Sequence, residues 1–173
     1  GKPHFVVSIA VVDQGRPMAG VLYNPVHDEL YAALSGHGAT LNGQPIAPAP
    51  RTQLTDAHMI GAEGLYRYPT WPEAWPALTI STVNSVAYSI GLVAAGMAHG
   101  VVALSPKSDW DLAAADLIMT EAGGAISDHR GARFVYNQPK PHHPTLAAAA
   151  PDFHAVLLQK LTEFDTGKPS GTH

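Results

Sequence analysis

Residues 5–42 carry short apolar runs separated by turn signals, a pattern that predicts strands. Residues 5–12 read as a largely buried strand, and Asp13-Gln14-Gly15-Arg16-Pro17 as a turn. Residues 18–23 and 29–34 read as further strands, joined by Asn24-Pro25-Val26-His27-Asp28. After Ser35-Gly36-His37-Gly38 a strand is expected near 39–41, and Asn42-Gly43 is a hairpin signal. Connections this short imply an antiparallel meander, because parallel neighbours need long crossovers. Pro45, Pro48 and Pro50 close the segment, so residues 1–50 are expected to form an antiparallel sheet portion, with a boundary at 45–53.

Residues 51–165 change character. Short strands are expected at 58–60 and 78–80, separated by a loop containing Trp71-Pro72 and Trp75-Pro76. Val83, Val86, Ile90 and Val93 mark a helical stripe ended by Gly96, and 100–104 is a strand. From Asp111 to Ala122 the residues are mostly good helix formers, with Gly123-Gly124 as the stop. Leu112, Ala115, Ile118 and Met119 give that helix a buried stripe, and Asp109 is its expected N-cap. Strands at 125–127, 133–136 and 145–149 and an amphipathic helix at 152–161 complete an α/β half. The tail 166–173 has nothing to bury and is expected to be loose.

The string Asp109-Trp110-Asp111-Leu112-Ala113-Ala114-Ala115-Asp116, followed by Glu121-Ala122-Gly123-Gly124, carries the most chemistry. Asp111 lies in a first helical turn, where backbone N–H groups lack intrahelical partners. Helix capping alone explains one such aspartate, but the whole string resembles the C-terminal signature of the inositol monophosphatase family of metal-dependent phosphatases. The resemblance implies that Asp111 ligates a catalytic Mg²⁺ and that the small residues after it let the helix pack closely on its neighbours. Residues 5–46, from Phe5-Val6-Val7-Ser8 through Tyr23-Asn24-Pro25 to Leu41-Asn42-Gly43, resemble the segment after that family's main metal motif. In the family, an Asp-Pro-x-Asp-Gly-Thr sequence upstream supplies two more metal carboxylates and a phosphate-binding turn, and an earlier Glu completes the site. This sequence starts at Gly1-Lys2-Pro3-His4-Phe5, just past that point. The expected fold is therefore the layered αβαβα sandwich of the inositol monophosphatase/fructose-1,6-bisphosphatase type, α/β (α+β) in class, without its N-terminal part. The chain alone is expected to hold metal weakly and to be nearly inactive.

The resemblance places Asn84, Ser85 and Val86 near the substrate, where helix N–H groups could face a phosphate or hydroxyl; an ordinary helix cap explains Asn84 or Ser85 as well. Many inositol-selective members have an acid seven positions before the metal aspartate. Here that position is Leu104. Lys107 could pair with a second phosphate or be a solvated surface lysine. The expected reaction is attack of metal-activated water on a small phosphate ester, inositol monophosphate or 3′-phosphoadenosine 5′-phosphate. The competing expectation is a non-catalytic interaction or regulatory module. Family likeness further implies a homodimer and lithium sensitivity.

Composition narrows these options. Apolar residues make up 46% and charged residues 14% of 173, which fits a globular chain that could bury roughly 70% of its unfolded surface. A formal net charge of −4 gives no footprint for nucleic acid or anionic membrane. No apolar run reaches bilayer-spanning length. The absence of Cys excludes disulfides and thiolate chemistry and leaves a cytoplasmic location as the default. His142-His143 would point apart in a strand and, between Pro141 and Pro144, is expected in a loop, not as a metal pair. Trp71 and Trp75 are expected to pack on each other, and Glu121 to hydrogen-bond near the helix end.

Overall fold

The computed structural model describes residues 4–67 and 71–166. Five strands, β1 (Val7–Asp13), β2 (Arg16–Asn24), β3 (Glu29–Leu34), β4 (Ala39–Leu41) and β5 (Gln44–Pro45), form an antiparallel meander in chain order. Two tight turns set its register. Gln14-Gly15 and Asn42-Gly43 both take left-handed φ, 47° and 77°, then 50° and 77°. That is the backbone a two-residue hairpin turn requires.

The remaining elements are β6 (Ala57–Ile60), α1 (Glu63–Tyr66), β7 (Leu78–Ser81), α2 (Val86–Ala94), β8 (Gly100–Ala103), β9 (Lys107–Ser108), α3 (Asp109–Glu121), β10 (Ala125–Ser127), β11 (His142–His143), β12 (Leu146–Ala149) and α4 (Pro151–Thr166). A second sheet runs in the order β10-β12-β8-β6-β7, with β6 parallel to both β7 and β8 and the other pairs antiparallel. β9 and β11 pair by themselves.

Period-two alternation makes this second sheet a divider between two cores. Ile60, Val101, Leu146 and Ala148 face a core shared with α2, α3 and the meander. Met59, Val102, Ala147 and Ala149 face Phe153, Leu157 and Leu161 of α4, with Tyr66 and Trp75 alongside. The layers are therefore sheet, α2 with α3, sheet, α4. Leu22 and Tyr31 of the meander belong to the same cluster as Ile90 and Leu112, so residues on both sides of 45–53 build one core. The meander's other face carries Val7, Ile9, Val11, Leu30 and Leu34, all large, apolar and exposed.

α3 approaches the meander at Gly20. A Cβ there would meet Ala114 Cα at 3.0 Å and Ala114 O at 3.2 Å, so the helix backbone itself rests on the strand. The run Ala113-Ala114-Ala115 permits this, as expected from its small side chains; all three are buried.

Several expectations change. Ser108, not Asp109, is the N-cap of α3, because Asp109 already has helical geometry and its carboxylate is used elsewhere. Residues 133–136 do not join a sheet. Phe134 and Tyr136 are buried between exposed neighbours as the alternation suggested, but this stretch hydrogen-bonds to the β1–β2 turn and its flank: Tyr136 N donates to Gly15 O at 3.0 Å, and Arg16 Nη1 donates to Phe134 O at 2.8 Å. His142-His143 forms a short strand against Lys107-Ser108 rather than a loop. The final helix continues through Thr166; residues 167–173 of the expected loose tail lie outside the described residues. α1 was not foreseen, since four residues leave no helical periodicity to detect.

Candidate active site

Two helices begin at the same place. Ser85 caps α2, its Oγ accepting from Tyr88 N at 3.3 Å. At the start of α3, Asp111 Oδ2 accepts from Ser108 N at 3.1 Å, the return half of a capping box. Between these two N-termini lies a cleft of about 230 Å³, lined by Asn84, Ser85, Val86, Lys107, Trp110 and Asp111, with Val6, Ser8 and Ala87 completing it. All five residues singled out from the sequence therefore meet at one cavity, although Asn84 and Asp111 are far apart in the chain. Asp111 is partly exposed rather than sealed inside.

Neighbouring groups hold this geometry. Asp109 accepts from Asn137 N at 2.7 Å through Oδ2, and its Oδ1 lies 2.8 Å from His143 Nε2, both side chains being largely buried. His143 is wedged against Phe134 and Tyr136, with ring centroids at 4.7 and 5.3 Å. His142 turns the other way, its Nδ1 3.2 Å from Ser108 Oγ and its ring edge-on to Trp110. The two rings point apart, as expected of neighbours in a strand. They brace the start of α3 from two sides. Trp110 is 66% exposed at the cleft rim. Ser8 Oγ donates to Trp110 O at 3.3 Å and ties β1 to the same turn.

Away from the cleft, Glu121 accepts from Gly36 N and Gly38 N, both at 2.8 Å, joining the end of α3 to the β3–β4 turn. These donors hold its carboxyl below the ordinary glutamate range, the Gly36 N–H most strongly. Asp116 shifts the opposite way: burial raises its pKa, although Tyr136 Oη donates to it at 2.7 Å. Tyr88, two residues into α2 from its first residue, is pushed up to about 12 by burial, with Glu29 Oε2 accepting from its hydroxyl at 2.7 Å. Trp71 and Trp75 pack edge to face at 5.5 Å, as the sequence suggested.

Asp111 suits magnesium in kind, as a hard carboxylate oxygen facing a cleft. It does not suffice in number. Among the described residues no group of three or more His, Asp or Glu could hold a metal ion. Sequence reasoning missed Ser8, Trp110 and the Asp109–His143 pair. Ser8 had left a trace, as the polar residue in the inward row Val6, Ser8, Ala10, Val12. Asp109–His143 left none, because its partners are distant in sequence.

The model of the inositol monophosphatase family matches residues 1–164. Similar relatives include "Nus factor SuhB" of Pasteurella multocida, 30% identical with 93% of this chain and 61% of the relative covered. "Inositol-1-monophosphatase" of Mesorhizobium japonicum is 36% identical, with 76% and 52% covered. Among solved structures, an inositol monophosphatase from Anabaena (Nostoc) sp. superposes with a TM-score of 0.78 at 25% identity, over 93% of this chain and 65% of that one. The extragenic suppressor protein suhB from Bartonella henselae gives 0.75 at 29%, over 92% and 65%. The chain thus spans between half and two thirds of the length of these relatives. No helix among the described residues is long and apolar enough to cross a membrane.

Proposed function

We propose that this chain, which belongs to the inositol monophosphatase family, contributes the substrate-holding side of a magnesium-dependent phosphomonoesterase acting on inositol monophosphate or 3′-phosphoadenosine 5′-phosphate. One observation carries the reading: the N-termini of α2 and α3 open onto a single cleft that also contains Asp111. A helix N-terminus presents unpaired N–H groups and a partial positive charge, which suit a phosphate. With Ser85 already capping Tyr88 N, the first N–H groups of α2, at Val86 and Ala87, are placed to bind phosphate oxygens, and Asn84 to donate beside them. Lys107 adds positive charge at the edge, although its Nζ lies 2.6 Å from Ser105 Oγ and holds its own loop.

These groups bind and orient. Each helix terminus is worth roughly 0.3–1 kcal/mol, whereas enzymes lower barriers by about 8–23 kcal/mol. Magnesium, when bound, would supply the Lewis acidity and the water activation that this difference demands. Asp111 would be one ligand, with further ligands drawn from outside the described residues. The test is phosphate release by the polypeptide carrying this sequence, with inositol 1-phosphate and 3′-phosphoadenosine 5′-phosphate, in magnesium and in chelator. Release that needs magnesium supports the reading; none from either ester rejects it.

A second reading, a non-catalytic regulatory module, is favoured by the relatives named "Nus factor SuhB" and by the lone carboxylate at the cleft. Intact mass and N-terminal sequencing of the protein from its source separate the two. An upstream Asp-Pro-x-Asp-Gly-Thr favours the enzyme, and a start at Gly1 favours the module.

A further inference from the structure

A second chamber of about 380 Å³ opens beside the cleft and shares Asn84, Val86 and Lys107 with it. Leu65 of α1, Val83, Val86, Ala103 and Leu104 give it largely apolar walls. Lys107 is the one charged residue lining it among the described residues, and no carboxylate does. Two of its polar side chains are occupied nearby: Ser89 Oγ donates to Ser85 O at 2.8 Å, and Lys107 Nζ donates to Ser105 O at 3.0 Å, while Asn84 stands where the chamber meets the cleft. Together the cleft and chamber reach the size of an ordinary small-ligand site, apolar at one end and polar at the other.

We infer that the chamber receives the alcohol part of the ester and penalises a polyol relative to an alcohol with few hydroxyls, so that of the two candidate esters it disfavours inositol monophosphate. The inference rests on the phosphatase reading for the placement of the phosphate. A ring with a hydroxyl on each carbon must shed water to enter and finds too few partners inside, which an apolar ring does not have to do. Apolar walls cannot strongly reject a single added hydroxyl, but several unpaired hydroxyls accumulate the penalty.

Cyclohexyl phosphate and inositol 1-phosphate share a six-membered ring and differ in five hydroxyls, so they form a matched pair. With the polypeptide carrying this sequence, kcat/KM for cyclohexyl phosphate is expected to be at least about tenfold higher. Leu104→Gln and the near-isosteric Val83→Thr each put hydrogen-bonding groups on the wall, and each should narrow that ratio at least threefold. An equal or reversed preference in the wild type, or an unchanged ratio in both variants, overturns the inference. If neither ester turns over, calorimetric titration of the same two esters decides the chamber, and phosphate release from 3′-phosphoadenosine 5′-phosphate decides the phosphatase reading separately. Tighter binding of cyclohexyl phosphate that weakens in Leu104→Gln upholds it; equal binding, or no binding, overturns it.

Discussion

Asp111 has two duties that one substitution can separate. Its Oδ2 accepts from Ser108 N at 3.1 Å, and its carboxylate faces the cleft between two helix N-termini. Asp111→Asn keeps an acceptor oxygen of nearly the same shape and removes only the charge. The stability lost is then the charge–dipole contribution, roughly 0.3–1 kcal/mol at a helix start. For a chain of this length, about 2–4 °C accompanies each kcal/mol, so Tm should fall by no more than about 4 °C. Asp111→Ala also removes the capping acceptor, and about 0.5–2 kcal/mol is expected to go with it, or up to about 8 °C. Turnover should not follow stability. Both variants lose the carboxylate proposed as a metal ligand, and both should fall by about 10²–10³ or more, the range seen when one preorganised electrostatic group is removed from a reacting centre. The assay pairs a thermal melt with magnesium-dependent phosphate release for wild type, Asn and Ala. Turnover within about threefold of wild type in Asp111→Asn would refute the role assigned to the carboxylate. A melt lowered as far by Asn as by Ala would refute the separation of the two duties.

Two further predictions address the frame around the cleft. Gly20→Ala places a methyl group against the backbone of Ala114, which no rotamer change can relieve. Overpacking of this kind is expected to cost about 1–3 kcal/mol by denaturant melt, and Ala114→Gly should fail to rescue it; rescue would show that the clash lies with the side chain. Glu121→Gln tests the link from α3 to the β3–β4 turn. Because the folded carboxyl sits below its ordinary value, its stabilisation is fully present above the ordinary glutamate range and is lost as pH falls through the depressed value. Wild type should therefore exceed Glu121→Gln in Tm near neutrality, the gap closing on acidification. A gap that does not change with pH contradicts the cause assigned here.

The local code was legible wherever a short window contains its own instruction. Asn42-Gly43 adopts the left-handed pair of φ angles its turn needs, and the stripe Leu112, Ala115, Ile118, Met119 is buried along α3. The Trp-Asp string gave the family and, through it, the layered fold. Windows failed where hydrogen-bond partners lie far off in sequence. Residues 133–136 alternate like a strand, yet their backbone partner is the turn at Gly15, more than a hundred residues earlier, so no ladder forms. Ser108 caps α3 because Asp109 is engaged by Asn137 and His143, neither of which any window around Asp109 contains.

The sequence by itself determined the two periodicities, the turns, the absence of cysteine and the candidate aspartate, Asp111. Only the tertiary structure decided that α2 and α3 start side by side, that Asn84 and Asp111 share a cleft, and that an apolar chamber adjoins it. The physical reason is range. Propensity and capping act within a few residues of the chain. The convergence of two helix N-termini depends on how the faces of two sheets bury the helices between them, and that burial is settled by contacts across the whole chain.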